Sequence, residues 1–209
     1  MSLLERRRAL MSQNREKYVF VEYIESTGQE WIDTGVIANG NTKVDVDFQL
    51  VEVTASFVFG SRAGSTNRTY TFSVGNMSNG GEFVSAYGSS GNMVIATADT
   101  NRHIVMKNHR STYFDGVFKT QVSKQDFTTP ETLEIFASYN NGTKGYLPSK
   151  MKLYSCAIYD GVTEGERTLL RDFKPCYRKA DKVAGLYDAV NDVFYENRGT
   201  GKFLIGGEI

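Results

Sequence analysis

The chain holds 209 residues with 24 basic and 24 acidic side chains, so its formal net charge is zero. That length supports one large domain with a core of its own, and the balance gives no whole-molecule attraction to nucleic acid or an acidic membrane. No run of about 18 apolar residues is present to cross a bilayer as a helix.

Residues 1–17 carry five basic and two acidic side chains, a local excess of three positive charges. They are helix formers, with Ser2 and Glu5 at capping-box spacing and a sparse apolar stripe of Leu3, Leu4, Leu10 and Met11 broken by Arg7. The stretch has no apolar core followed by a small-residue cleavage site, so no signal peptide is expected. About four turns are marginal as an isolated helix in water. The reading is a short helical arm that docks or connects to a partner, with a β domain over residues 18–209.

The stretch from Tyr18 to Gly35 reads as a strand, a polar turn at Glu25–Gly28, and a second strand holding Trp31 and Ile32 in the core. Val44, Val46, Phe48 and Leu50 alternate with Asp45, Asp47 and Gln49, the period-2 pattern of a half-buried strand. Ser56–Ser61 reads as a more buried strand, followed by Tyr70–Val74, Glu82–Tyr87 and Val94–Ala98. One strand over His103–Phe114 is expected to turn at Asp115-Gly116 into Val117–Val122, since Asp-Gly between apolar runs tolerates positive φ at both central positions. Leu133–Ser138 and Lys150–Asp160 make two more strands. Thr163 and Glu166 stand at capping-box spacing before Leu169, Leu170 and Phe173, so a short helix ended by Pro175 is expected there. Gly185–Phe203 supplies closing strands that pair with the N-terminal stretch.

Twenty glycines, three prolines, 12 tyrosines and 13 phenylalanines suit many strands joined by glycine turns. A dozen short strands with almost no helix between them point to antiparallel sheets packed face to face. Pairing the two chain ends covers strands that would otherwise be open edges. The two cysteines, Cys156 and Cys176, have neither a disulfide framework nor the companions of a zinc site, and read as buried, reduced thiols.

Several pieces occur in a fixed order: Tyr23-Ile-Glu-Ser-Thr-Gly28, Ile32-Asp-Thr-Gly35, Phe59-Gly-Ser-Arg62, Tyr113-Phe-Asp-Gly116, Leu153-Tyr-Ser-Cys-Ala-Ile-Tyr159, Leu170-Arg-Asp-Phe-Lys-Pro-Cys176, Gly185-Leu-Tyr-Asp188 and Phe194-Tyr-Glu-Asn197. Together they resemble the laminin-G-like, concanavalin-A-like domains of bacteriophage structural proteins and gut-bacterial surface proteins. The resemblance covers residues 18–206, and Leu3–Leu10 is similar to the short leader of such virion proteins. It implies an all-β, two-sheet antiparallel jelly-roll sandwich. It also implies a virion location, with the arm joining other virion proteins or a homo-oligomer, and a cell-surface glycan as ligand for adhesion. A purely structural capsid-decoration or fibre role is the alternative, because this fold hosts many functions.

Catalysis is not expected. The hydrolases of this fold carry Glu-x-Asp-x-x-Glu on a central strand, and that segment is missing. Retaining hydrolysis needs carboxyl groups about 5–5.5 Å apart. Asp45 and Asp47 have suitable spacing but read as solvated, and Glu131 and Glu134 point to different faces. His103 and His109 have no paired nucleophile. No cofactor is expected, with calcium at a sandwich rim kept open by the resemblance through Asp99, Asn101, Asp181, Asp188, Asn191 and Asp192. Sugar binding asks for aromatic faces beside planar polar groups, which selects Arg62, Arg68, Tyr70, Asn76, Tyr87, Tyr139 and Asn140, with Asn67, Asn79 and Asn141 as further loop candidates.

Overall fold

Strands and turns, with no helix, occupy the described residues of the computed structural model, which are 16–64, 70–76 and 81–209. The strands are β1 (Tyr18–Phe20), β2 (Ile24–Glu25), β3 (Ile32–Asn39), β4 (Lys43–Leu50), β5 (Ser56–Arg62) and β6 (Thr71–Asn76). Next come β7 (Glu82–Gly88), β8 (Met93–Thr97), β9 (Arg102–Asn108), β10 (Ser111–Phe114), β11 (Val117–Gln121), β12 (Thr128–Ile135) and β13 (Ser138–Asn140). The chain ends with β14 (Thr143–Tyr146), β15 (Met151–Asp160), β16 (Thr168–Arg178), β17 (Ala184–Asp188), β18 (Val193–Glu196) and β19 (Leu204–Ile205). The expected helical arm falls on residues 1–17, of which 1–15 lie outside the described residues.

Two sheets result. The larger runs β11-β10-β9-β4-β15-β16-β17-β18, with β1 added to β16 and β2 linking β15 to β19. The smaller runs β14-β13-β5-β6-β7-β8, with β12 joined to β5 and β3 beyond it. The ladders are antiparallel except for β13 on β5. Each sheet has one strongly apolar face, and the sandwich buries both. Val44, Val46, Phe48 and Leu50 of β4 are buried from one side, and Phe59, Phe72, Val74 and Phe83 from the other. Phe48 and Phe83 meet edge to face at 5.5 Å across the two layers. Tyr87 packs on Phe72 and, at 4.9 Å, on Phe127. Each such side chain contributes roughly 1.5–3 kcal/mol by leaving water.

The chain ends zip together as the sequence suggests. Leu204 and Ile205 pair with Glu25 and Ile24, Glu208 bridges Val21, and the Ile209 amide donates to the Phe20 carbonyl at 3.1 Å. The N-terminal stretch also pairs with β16 and β15, so it is covered on its hydrogen-bonding edges. The polar turn after β2 wraps a carboxylate. Buried Glu30 accepts from Ser26 Oγ, the Thr27 amide and hydroxyl, and the Gln29 amide. Trp31 packs against the core beside Gly145, whose absent side chain makes room for the indole: a Cβ there would come within 2.6 Å of Trp31 Nε1.

Three expectations fail. Leu133–Ser138 is not one strand, because β12 ends at Ile135, Phe136 takes φ 71° and β13 begins at Ser138. The segment His103–Phe114 is not one strand but two, β9 and β10, folded back at His109-Arg110 with His109 at φ 40°. The Asp115-Gly116 turn follows as anticipated, with φ 51° and 76°. The expected helix near Thr163 is a single turn, closed by the Glu166 amide on the Thr163 carbonyl, and Leu169–Phe173 belong to β16. Thr168–Phe173 pair with β15, and β17 takes the other edge from Phe173 onward, a ladder that outweighs a local capping signal. Pro175 is accommodated inside β16, where its carbonyl accepts the Val21 amide at 3.1 Å.

Candidate functional site

The residues singled out for sugar binding do not converge on one open surface. Arg62, Tyr139 and Asn140 do meet, because the parallel β5–β13 pair sets Asn140 beside Arg62. Their interactions point inward: Arg62 Nε donates to Asn140 Oδ1 at 2.9 Å, and its buried guanidinium lies over the rings of Phe57 and Tyr146. The Tyr139 hydroxyl accepts the Gly142 amide and braces the Asn141-Gly142 hairpin. Tyr70 is exposed at the same end of the smaller sheet, just before β6. Asn76 is enclosed at the opposite end of β6. Tyr87 is a core residue whose hydroxyl donates to the Gly40 and Gln125 carbonyls, so it presents no face to a sugar. Arg68, Asn67 and Asn79 lie outside the described residues.

A different surface gathers polar and aromatic groups: the outward face of the larger sheet. The alternation that buries Val44, Val46 and Phe48 turns Lys43, Asp45, Asp47 and Gln49 outward. Register places Asp47 opposite Ser155, Asp45 opposite Ala157, and Lys43 opposite Tyr159, with Asp172 beyond Ala157 on the next strand. Small side chains at Ser155 and Ala157 form a floor, while Asp45, Asp47 and Ile104 on one side and Asp172 and Lys174 on the other form walls. The result is a cleft of about 280 Å³ closed at one end by Tyr159.

Each wall carboxylate is oriented by a cation. Arg102 grips Asp47 with two bonds of 2.8 Å, Lys43 reaches Asp45 at 2.6 Å, and Lys174 reaches Asp172 at 2.9 Å. The second oxygen of Asp45 is buried with no hydrogen-bond partner. Beside the cleft an irregular register at Tyr154 turns that ring outward as well. Arg102 stacks on it at 3.6 Å, Tyr23 meets it edge-on at 5.5 Å, and its hydroxyl donates to Gln49. This is a platform of fixed planar acceptors, amides and rings, suited to reading hydroxyl groups.

Acid–base groups elsewhere are separate from the cleft. Burial pushes the Glu134 carboxyl up to about 7 even though it accepts the Gly145 amide, but Glu134 is enclosed on β12 in the smaller sheet. Burial alone would lower the His103 imidazole, but Asp115 and Asp99, bonded to its two nitrogens at 2.8 and 2.9 Å, raise it. With both nitrogens held, His103 is a clasp between two turns. Lys107 is buried between the sheets, its Nζ donating to Ser85 Oγ at 2.8 Å and lying over Phe72 and Tyr87; burial pushes it down to about 7. Cys156 and Cys176 are buried free thiols, both raised by burial, Cys176 to about 12.

The oxygens considered for calcium do not form one cluster: Asp188, Asn191 and Asp192 share the β17–β18 turn, and Asp99, Asn101 and Asp181 lie elsewhere. Asp99 serves His103 and the Asn101 amide, Asp181 serves Arg178, and Asp188 serves the Asp172 and Val190 amides with Asn191. Among the described residues no group of three or more His, Cys, Asp or Glu side chains is placed to hold a metal ion.

The sequence shows Asp45 and Asp47 as an outward pair and carries no signal for Tyr159, Ser155 or Lys174. Period-2 alternation gives the faces of β4 and β15 separately. Their adjacency comes only from the ladder between residues over a hundred positions apart. Fold and site together define an all-β two-sheet sandwich with a polar, aromatic-flanked cleft on its larger sheet. Comparison of the chain with protein-family models and with curated proteins finds no match.

Proposed function

We propose that this protein is a non-catalytic carbohydrate-binding module whose ligand lies across the outward cleft of the larger sheet. The observation that carries the reading is the cleft itself: cation-held carboxylates of Asp45, Asp47 and Asp172 around a small-residue floor, with Tyr159 at its end. Carboxylate oxygens accept paired sugar hydroxyls, lysine and arginine donate to ring and hydroxyl oxygens, and a tyrosine supplies apolar surface for a pyranose. The resemblance of the ordered motifs to laminin-G-like and concanavalin-A-like jelly rolls agrees with this reading. It is also the basis for assigning the module to a virion or surface assembly that adheres to host glycan, with the N-terminal arm as its attachment.

A glycan array of bacterial polysaccharides tests the proposal. Retention of at least one saccharide class is expected, weakened roughly tenfold or more by Tyr159→Ala or Asp47→Asn, which corresponds to about 1.4 kcal/mol. Tyr70→Ala at the distant rim should leave retention unchanged. Absence of any retained glycan, or retention indifferent to the cleft variants, would sink the reading. A structural packing role is the second reading, favoured by strand β11, which ends the larger sheet with Val117 and Phe118 exposed. Self-association abolished by Phe118→Lys, with no glycan retained, would support it.

A further inference from the structure

Four turns meet at one end of the sandwich around a second pocket. Gly40 and Asn41 come from the β3–β4 turn, His109 and Arg110 from the β9–β10 turn, Lys124 from the β11–β12 connection and Val162 from the β15–β16 connection. With Tyr87 behind them they enclose about 260 Å³. Gly40 allows the close approach: a Cβ there would stand 3.2 Å from the Tyr87 hydroxyl and press into the Gln125 carbonyl.

Several cations of this surface sit on carboxylates, as Lys43 does on Asp45, Arg102 on Asp47, Lys150 on Glu52 and Arg178 on Asp181 and Glu196. The basic side chains around this pocket do not. Arg167 donates to the Gly161 and Val162 carbonyls, and Arg110 faces the side-chain amide of Gln121, whose oxygen when turned toward it lies 2.9 Å away. Lys124 is exposed on the pocket wall. Arg167, Arg110 and Lys124 therefore bear on one imidazole. Of the acids nearby, Asp126 acts on the Tyr87 hydroxyl, and Asp160, at the end of β15 before Val162, accepts from Asn39 Nδ2.

That imidazole is itself incompletely bonded. His109 Nε2 is buried without a hydrogen-bond partner, and the Val162 carbonyl favours the protonated ring. Its backbone is held at φ 40°, in the left-handed region that a β-carbon makes costly, and its amide donates to the Thr42 carbonyl. The turn thus fixes the backbone that carries the ring, and Nε2 has no hydrogen bond within the fold.

We propose that this pocket binds a small oxyanion (carboxylate, sulfate or phosphate), with the His109 imidazole, Arg110 and Lys124 as its ligands. The anion supplies a countercharge to these three groups, and the protonated imidazole donates to one of its oxygens. Burial, then Arg167, Arg110 and Lys124, hold the empty imidazole below its ordinary value. Binding and proton uptake by the imidazole are consequently coupled, and affinity should rise as pH falls. The site is independent of the cleft, and loss of either leaves the other standing.

The chain has two histidines, so NMR of the imidazole signals reads this directly, with His103 as internal reference because both of its nitrogens are held. Sodium sulfate, inorganic phosphate and glucuronate are titrated against chloride at equal ionic strength. The expected result is a saturable shift of the His109 signal and a rise in its pKa, with His103 unchanged. Arg110→Gln and Lys124→Gln should each weaken binding roughly tenfold. Response to glucuronate would point to an acidic saccharide, and response to sulfate or phosphate alone to an inorganic or ester oxyanion. Shifts reproduced by chloride, equal movement of both histidines, or undiminished binding in both variants would overturn the proposal.

Discussion

Glu30 in the seam between the chain ends and Lys107 between the two sheets are both fully enclosed ionisable groups, yet the fold treats them in opposite ways. Glu30 is surrounded by the Ser26 and Thr27 hydroxyls and the Thr27 and Gln29 amides, so almost every lone pair has a donor. Lys107 has one hydrogen bond, to Ser85 Oγ, and two ring faces. A buried charge with a full set of internal partners organises the backbone around it, whereas one with a partial set carries a desolvation cost. Extended to the histidines, the comparison separates a structural group from one open to a ligand: His103 has both nitrogens held, and His109 has Nε2 unclaimed.

Breaking the seam should have the largest effect. Glu30→Leu leaves several enclosed donors unpaired, at about 1–3 kcal/mol for each. A loss of roughly 3 kcal/mol or more is expected in urea unfolding, together with faster amide exchange in the paired segments around Ile24 and Ile205. An unaltered midpoint would show that the turn does not depend on its carboxylate.

Lys107→Met should act in the other direction. Replacing a poorly partnered enclosed charge by an apolar chain of similar size typically adds about 1–4 kcal/mol, and here Ser85 and Thr112 remain bonded to each other at 2.8 Å. The sign with pH follows from linkage. The folded value near 7 lies below the unfolded value, so between about 7 and 10.5 the unfolded chain binds the extra proton and the parent protein gains stability with rising pH. The advantage of the methionine variant should be largest at or below pH 7 and shrink toward pH 10. Equal advantage across that range would show that the ammonium is already well compensated.

The smallest effect is expected at His103. Its folded value is raised, so the clasp with Asp99 and Asp115 is present in full below the unfolded value of 6.5 and is lost as pH climbs through the higher folded value. Thermal melts should decline over that interval in the parent protein and flatten in Asp99→Asn. Because both carboxylates are nearly half exposed, the change should be modest.

Much of the fold is legible residue by residue. The alternation in β4, the Asp115-Gly116 turn and the pairing of the first and last stretches follow from side-chain period, turn chemistry and the need to cover edges. The break at His109-Arg110 was not legible, because nothing in that pair carries a glycine or proline signal, and tertiary packing imposes the positive φ. The helix signal at Thr163 and Glu166 was locally sound but lost to the ladder that the following residues form with β15. The site was the least legible part. Tyr87 and Asn76 have the composition of sugar ligands and the positions of packing residues, and the sequence does not distinguish these.

The order of polar and apolar residues thus determined by itself that this chain forms strands, which side of each strand is dry, and that its ends must meet. Only the tertiary structure decided that Asp45, Ser155 and Asp172 share one surface and that His109, Arg110 and Lys124 line one pocket. Alternation is a local property, set by the pleat of each strand. Which strands become neighbours depends on contacts between residues far apart along the chain.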